Sequence, residues 1–138
     1  MSTVYVMDAC ALLALSNNEE GAELVNDILK DARHGAVEVV MHQLNLLEVY
    51  YGVYRDVGKE EAASRLENAR QLPMMINPTI DPQMLEEAGR LKATYKVSLA
   101  DSIVLAQAAV LGAKLLTADH HEFDIVEQKE PIKFQWVR

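Results

Sequence analysis

Four carboxylates stand alone in apolar surroundings. Asp8 is the only charged residue between Met1 and Asn18, in "MSTVYVMDACALLALSNN", and Glu48 is the only one between Val39 and Tyr54. Asp101 is the only charge in "VSLADSIVLAQAAVLGA" (97–113), and Asp119 stands alone between Lys114 and Glu122. A buried carboxylate without a partner is costly, or shifts its pKa until it is neutral. One such residue has a local explanation. Ser98 and Asp101 form an S-x-x-D pattern before an apolar run, the mark of a capping box in which the acid accepts from the free N–H of Ser98. Four of them, with no basic residue close by in sequence, point to a shared positive partner. The 13 Lys and Arg fall mostly in other stretches, so the candidate is a metal ion. Carboxylate oxygens are the ligands of hard cations.

The elements that must carry these residues follow from periodicity and breakers. "TVYVM" (3–7) and "VEVVM" (37–41) are β-rich runs, "MMINP" (74–78) and "KLLT" (114–117) are shorter ones, and "IKFQWV" (132–137) alternates as a half-exposed edge strand does. Between them lie helical patterns over "ACALLALSNN" (9–18), Glu19 to Arg33, Gln43 to Asp56, Glu60 to Gln71, Pro82 to Tyr95 and Leu99 to Leu111. Asp81 is a suitable N-cap before Pro82, and Gly112 a suitable stop. In the helix from Gln43, the residues Leu44, Leu47, Tyr51 and Tyr54 make one apolar stripe. Strands separated by helices predict an α/β fold: a three-layer α/β/α sandwich around a mostly parallel five-stranded sheet. Ligands of such sheets bind beyond the carboxyl ends of the strands, where the connections change direction. Asp8 directly follows the first strand, and Asp119 comes two residues after the fourth. Asp101, at a helix start, can face the same rim. Glu48, in the second helical turn after strand two, can face the rim or solvent.

Composition bounds the rest. With 138 residues, half of them hydrophobic, the chain is expected to form one domain, 1–138, with a real core. No run nears the roughly 18 apolar residues of a membrane span, and no basic stretch precedes an apolar one at the N-terminus, so a cytoplasmic protein without membrane association is expected. The net charge of −8 argues against nucleic-acid binding through a broad basic surface. It leaves room for a nucleic-acid enzyme, because cations held by carboxylates reverse the local field. Cys10, the single cysteine, reads as a buried structural thiol. His120 and His121 read as a solvated loop pair, because adjacent side chains diverge, and no His or Cys set has zinc spacing. Lys92, Lys96 and Arg55 read as a solvated face.

"YVMDACALLAL", "LNLLEVYYG", "LADSIVLAQA" and "LLTAD", in this order and at this spacing, resemble the PIN domain family, and within it the virulence-associated protein C (VapC) type of toxin ribonuclease. The resemblance runs from Val4 to about Trp136. It implies a five-stranded parallel sheet, an acidic cluster binding Mg²⁺ or Mn²⁺, and endonucleolytic cleavage of RNA. It also implies a homodimer and a small antitoxin protein as partner. The family's acidic positions match Asp8, Glu48, Asp101 and Asp119; Asp124 resembles a further acid found in some members, and Thr117 a supporting hydroxyl. Cys10 departs from the Ser, Thr or Asn common at that position and is the weaker hydrogen-bond donor. The chemistry suits the residues. Phosphodiester hydrolysis needs an activated water, neutralised phosphorane oxygens and a stabilised leaving oxygen, which two hard cations about 3.5–4 Å apart provide.

Two other readings compete. A receiver-like, phosphate-accepting signalling domain also places acids at strand ends, but strand one ends in a single acid and strand three ends in Asn77-Pro78. A non-catalytic binding or scaffold protein of the same fold is the stronger rival. Tyr50, Tyr51 and Tyr54 fit a dimer interface, although core burial is the expectation for at least two of them.

Overall fold

The computed structural model describes residues 2–138; Met1, the first residue of the expected domain, lies outside the described residues. The chain runs β1 (Thr3–Met7), α1 (Ala9–Ser16), α2 (Ala22–Arg33), β2 (Val37–His42), α3 (Gln43–Asp56) and α4 (Lys59–Arg70). It continues through β3 (Met75–Asn77), α5 (Pro82–Thr94), α6 (Leu99–Leu111), β4 (Lys114–Thr117), α7 (His120–Lys129) and β5 (Lys133–Trp136). The strands form one sheet in the order β3-β2-β1-β4-β5. Every pairing is parallel, so the sheet is wholly and not mostly parallel. That pattern needs helical crossovers throughout, and the chain supplies them.

Alternation along β1 and β4 divides the core between the two faces of the sheet. Met7 and Leu116 point to one side, into a cluster with residues of α1, α2, α3 and α4. Val6 and Leu115 point to the other, into a cluster with residues of α5, α6 and α7. This is the three-layer α/β/α arrangement. Helix α6 is the most deeply set, with Ser102 to Ala108 all buried. Its ends match the sequence: Ser98 accepts from the N–H of Asp101 at 3.1 Å, and Gly112 takes the left-handed conformation (φ 62°) that stops the helix. Asp81 caps α5 in the same way, accepting from Met84 N–H at 2.8 Å.

The structure corrects two expectations. Helix α7 begins at His120, where a loop was expected. It buries only Phe123 and Val126, too sparse a pattern to read as an amphipathic helix. In α3 the inward face is Asn45, Leu46, Val49 and Val53. The stripe of Leu47, Tyr51 and Tyr54 is about half exposed, and Tyr50 is only half-buried, so none of the three tyrosines is a core residue. The fully buried Asn45 explains the error, because it replaces an apolar residue on the face that packs.

Candidate functional site

Strand β1 is the point where the sheet changes direction: β2 and β3 extend to one side of it, β4 and β5 to the other. A crevice at the carboxyl ends of β1 and β4 follows from that topology. The parallel register pairs Met7 with Leu116, which sets Asp8 beside Thr117. Asp8 is buried and is the N-cap of α1. One of its oxygens accepts from Ala11 N–H at 2.8 Å, the other from the Thr117 hydroxyl at 2.5 Å. The same hydroxyl oxygen accepts from Asp119 N–H at 3.0 Å. Thr117, itself fully buried, therefore ties the side chain after β1 to the backbone after β4. Asp119 caps α7 by accepting from Glu122 N–H at 3.2 Å.

The other two acids arrive on helices. Asp101 sits in the first turn of α6 and Glu48 in the second turn of α3. Asn45, one turn before Glu48, donates to the carbonyl of Ala100 at 3.1 Å and pins the two helices together at that point. The start of α3 is held by His42, whose Nδ1 accepts from Leu44 N–H at 3.0 Å while Nε2 donates to the carbonyl of Thr79 at 2.7 Å. Asp8, Glu48, Asp101 and Asp119 all line one pocket.

Burial and proximity act on these groups together. Burial pushes Asp8 up to about 7; the bonds from Thr117 and Ala11 oppose that, and the charges of Asp101 and Asp119 add to it. Asp101 is raised to about 6, again mainly by burial, with Ser98 opposing and Asp119 and Glu122 adding. Burial raises Glu48 as well, and Asp101 and Asp119 add to the effect. Cys10 lines the pocket, and its thiol is pushed up to about 11 by burial and by the charge of Asp8. It is half-buried and not buried as expected, and a thiol so raised is a poor nucleophile.

The remaining residues are distributed less simply. Glu122, not singled out from the sequence, also lines the pocket, close enough to act on Asp101. Its signal was the D-x-x-E spacing from Asp119, which is legible only once α7 is recognised. Asp124 does not line the pocket. It is exposed and pairs with His120 Nδ1 at 2.8 Å. His120 and His121 are both exposed, as expected, but His120 is also held: Nε2 bonds the carbonyl of Arg138 at 2.8 Å, and the ring stacks on Trp136 at 3.8 Å. Lys92 and Lys96 are exposed and away from the pocket, whereas Arg55 stands at its mouth, paired with Asp56 at 2.9 Å.

An all-oxygen donor set in one pocket, with Asp8, Asp101 and Glu48 raised in pKa by burial first and by neighbouring carboxylates second, fits a hard divalent cation, whose charge would offset both effects. Among the described residues, no three His, Cys, Asp or Glu side chains already stand close enough to clasp a single ion.

Comparison with known proteins bears on this site. The PIN domain model matches residues 5–129. DNA-bound VapBC from Salmonella typhimurium aligns over 100% of both chains with a TM-score of 0.75 at 16% identity. VapBC-1 from nontypeable Haemophilus influenzae aligns over 98% of each chain with a TM-score of 0.72 at 19% identity. VapC20 of Mycobacterium tuberculosis, a sarcin-ricin loop cleaving toxin, covers 90% of this chain and 95% of its own with a TM-score of 0.66 at 12% identity. At such identities these structures share the fold. None of the curated proteins matches the chain in sequence. Among the described residues, no helix is long and apolar enough to cross a membrane. With the family's model matched from the first strand into the last helix, the chain belongs to the PIN domain family.

Proposed function

We propose that the chain is a Mg²⁺- or Mn²⁺-dependent endoribonuclease, the toxin of a toxin–antitoxin pair, acting in the cytoplasm. One observation carries this reading: Asp8, Glu48, Asp101 and Asp119 converge on one pocket at the switch point of the sheet. Membership of the PIN domain family supports a nuclease, and the name of VapC20 supports RNA as the class of substrate. The VapBC complexes support an antitoxin partner. The half-exposed Leu47, Tyr51 and Tyr54 on α3 support a protein contact, with the antitoxin or with a second copy in a homodimer.

In this reading Asp8 is the central ligand, because two fixed donors orient its carboxylate and leave the other lone pairs free. Asp101 and Asp119 complete the set, with Glu48 ligating directly or through water. Bound divalent cations would supply an activated water and neutralise the charge that grows on the phosphorane oxygens. Thr117 holds Asp8 and the backbone of Asp119 in one geometry, a fixed base onto which the side chains of Asp101, Asp119 and Glu48 would close. Burial of Asp8 keeps bulk water from screening its charge.

The test is cleavage of short RNA and matched DNA by purified, antitoxin-free protein in Mn²⁺ or EDTA, beside Asp101→Asn. Asn retains much of the capping capacity but carries no charge. RNA should be cut in Mn²⁺ alone, and the folded variant should not cut. The half-exposed Leu47, Tyr51 and Tyr54 on α3 favour a second reading, a non-catalytic partner protein of the same fold. Absence of cutting by the parent on every RNA offered would favour it.

A further inference from the structure

The pocket does not end at the carboxylates. Its volume of about 590 Å³ far exceeds what a few ions or waters need, at about 30 Å³ per water. It continues as a groove between α1 and α3. Cys10, Leu13 and Asn17 line it from α1, and Glu48, Gly52 and Asp56 from α3, each set spaced as one helical face. By helical rise, Asn17 lies about 10 Å beyond Cys10. A Cβ built on Gly52 meets nothing within 4 Å, so the α3 wall is open at that position.

Arg65 reaches the far end of this groove from α4. Its Nε donates to Glu61 at 3.1 Å, and its Nη1 donates to Ser16 at 3.1 Å and to Asn17. Three anchors fix the plane of the guanidinium, and Nη2 donates to no partner among the described residues. The other guanidinium on the groove, Arg55, spends both Nε and Nη2 on Asp56. Every other charged residue lining the groove is acidic. A guanidinium held through two of its nitrogens, with the third left to donate, can bind a phosphate oxygen by a charge-assisted hydrogen bond. Tyr51, half exposed on the same wall, offers a ring on which a base can stack.

We propose that this groove is the track of a single RNA strand and that Arg65 binds a phosphate flanking the scissile one. The proposal rests on the ribonuclease reading above. The experiment measures kcat and KM for a short single-stranded RNA in Mn²⁺ over a series of salt concentrations, for the parent, Arg65→Ala and Arg65→Lys, with the Mn²⁺ shift in Tm recorded for each. Arg65→Ala should raise KM about tenfold with kcat little changed. It should also flatten the dependence of log KM on log salt by about 0.7, one phosphate's worth. Arg65→Lys, which keeps the charge and loses the anchors that hold it in place, should fall between the two. The Mn²⁺ shift should stay as in the parent. An unchanged KM and salt slope in both variants would overturn the proposal and leave the groove to a protein segment. A lost Mn²⁺ shift would also overturn it, because Arg65 would then act through the acid cluster. Failure of the parent itself to cut RNA would remove the ribonuclease reading, and this proposal with it.

Discussion

Replacing Asp8 by Asn takes one negative charge out of the centre of the acid cluster and keeps the side chain's size. The amide oxygen still accepts from Ala11 N–H, and the amide nitrogen can donate to the Thr117 hydroxyl oxygen where the carboxylate accepted from it. In the folded chain, burial and the charges of Asp101 and Asp119 push Asp8 up to about 7, against about 3.9 in an unfolded chain. A gap of about three pH units, at about 1.36 kcal/mol each, makes the ionised Asp8 a cost of about 4 kcal/mol at high pH. The sign follows from proton counting. Between pH of about 4 and about 7 the folded chain binds more protons than the unfolded one, so metal-free stability falls as pH rises through that window and levels off above it. In EDTA at pH 8, Asp8→Asn should therefore be more stable than the parent by up to about 4 kcal/mol, on the order of 10 °C in Tm for a chain of this size. At pH 4 the two should unfold together, because the parent's carboxyl is then neutral in the folded state. Urea and thermal unfolding at the two pH values measure this. A variant no more stable than its parent at pH 8, or a gain equally large at pH 4, would mean that ionisation of Asp8 costs the folded chain nothing.

Other perturbations test neighbouring links. Mn²⁺ at about a hundredfold its Kd should stabilise the parent by about 2.7 kcal/mol and Asp8→Asn far less; no rise in Tm with millimolar Mn²⁺ or Mg²⁺ would remove the shared site. Thr117→Val keeps the shape but leaves Asp8 and the N–H of Asp119 without their common partner. Urea unfolding should show a loss of about 1–3 kcal/mol, and an unchanged midpoint would mean that the hydroxyl holds nothing. Gly52→Ala should stabilise by up to about 1 kcal/mol, since its Cβ enters open space on a helix. Gly21→Ala should destabilise, because φ is +97° and the new Cβ would lie 2.6 Å from the carbonyl oxygen of Val137; melting curves in the reverse order would contradict both.

What could be read from the sequence was what local chemistry decides. The strands of β-branched residues, the caps at Asp81 and Ser98, and the position of Asp8 at the end of β1 follow from near neighbours. The lone acids were legible because an apolar stretch makes a charge conspicuous. Features that depend on packing were not. Helix α7 escaped because two buried residues suffice when β5 and α6 already cover its neighbours. The true face of α3 was hidden because Asn45 finds its partner 55 residues away, at Ala100. Arg65 reaches the groove only because α4 folds back on α3 and meets the end of α1. Asp124 resembled a site residue by position, but one helical turn from His120 it turns outward to pair with it, and Glu122 faces the pocket in its place.

On the proposed reading, Asp8, Asp101 and Asp119 share a divalent cation in the crevice between β1 and β4. Crystals grown with Mn²⁺, with data collected for the metal's anomalous scattering, test it most directly. A peak should lie within bonding distance of an Asp8 oxygen and of at least one oxygen from Asp101 or Asp119, and be lost or much weakened in Asp101→Asn. A map without a peak in that crevice, or with manganese bound only elsewhere on this acidic surface, would contradict it.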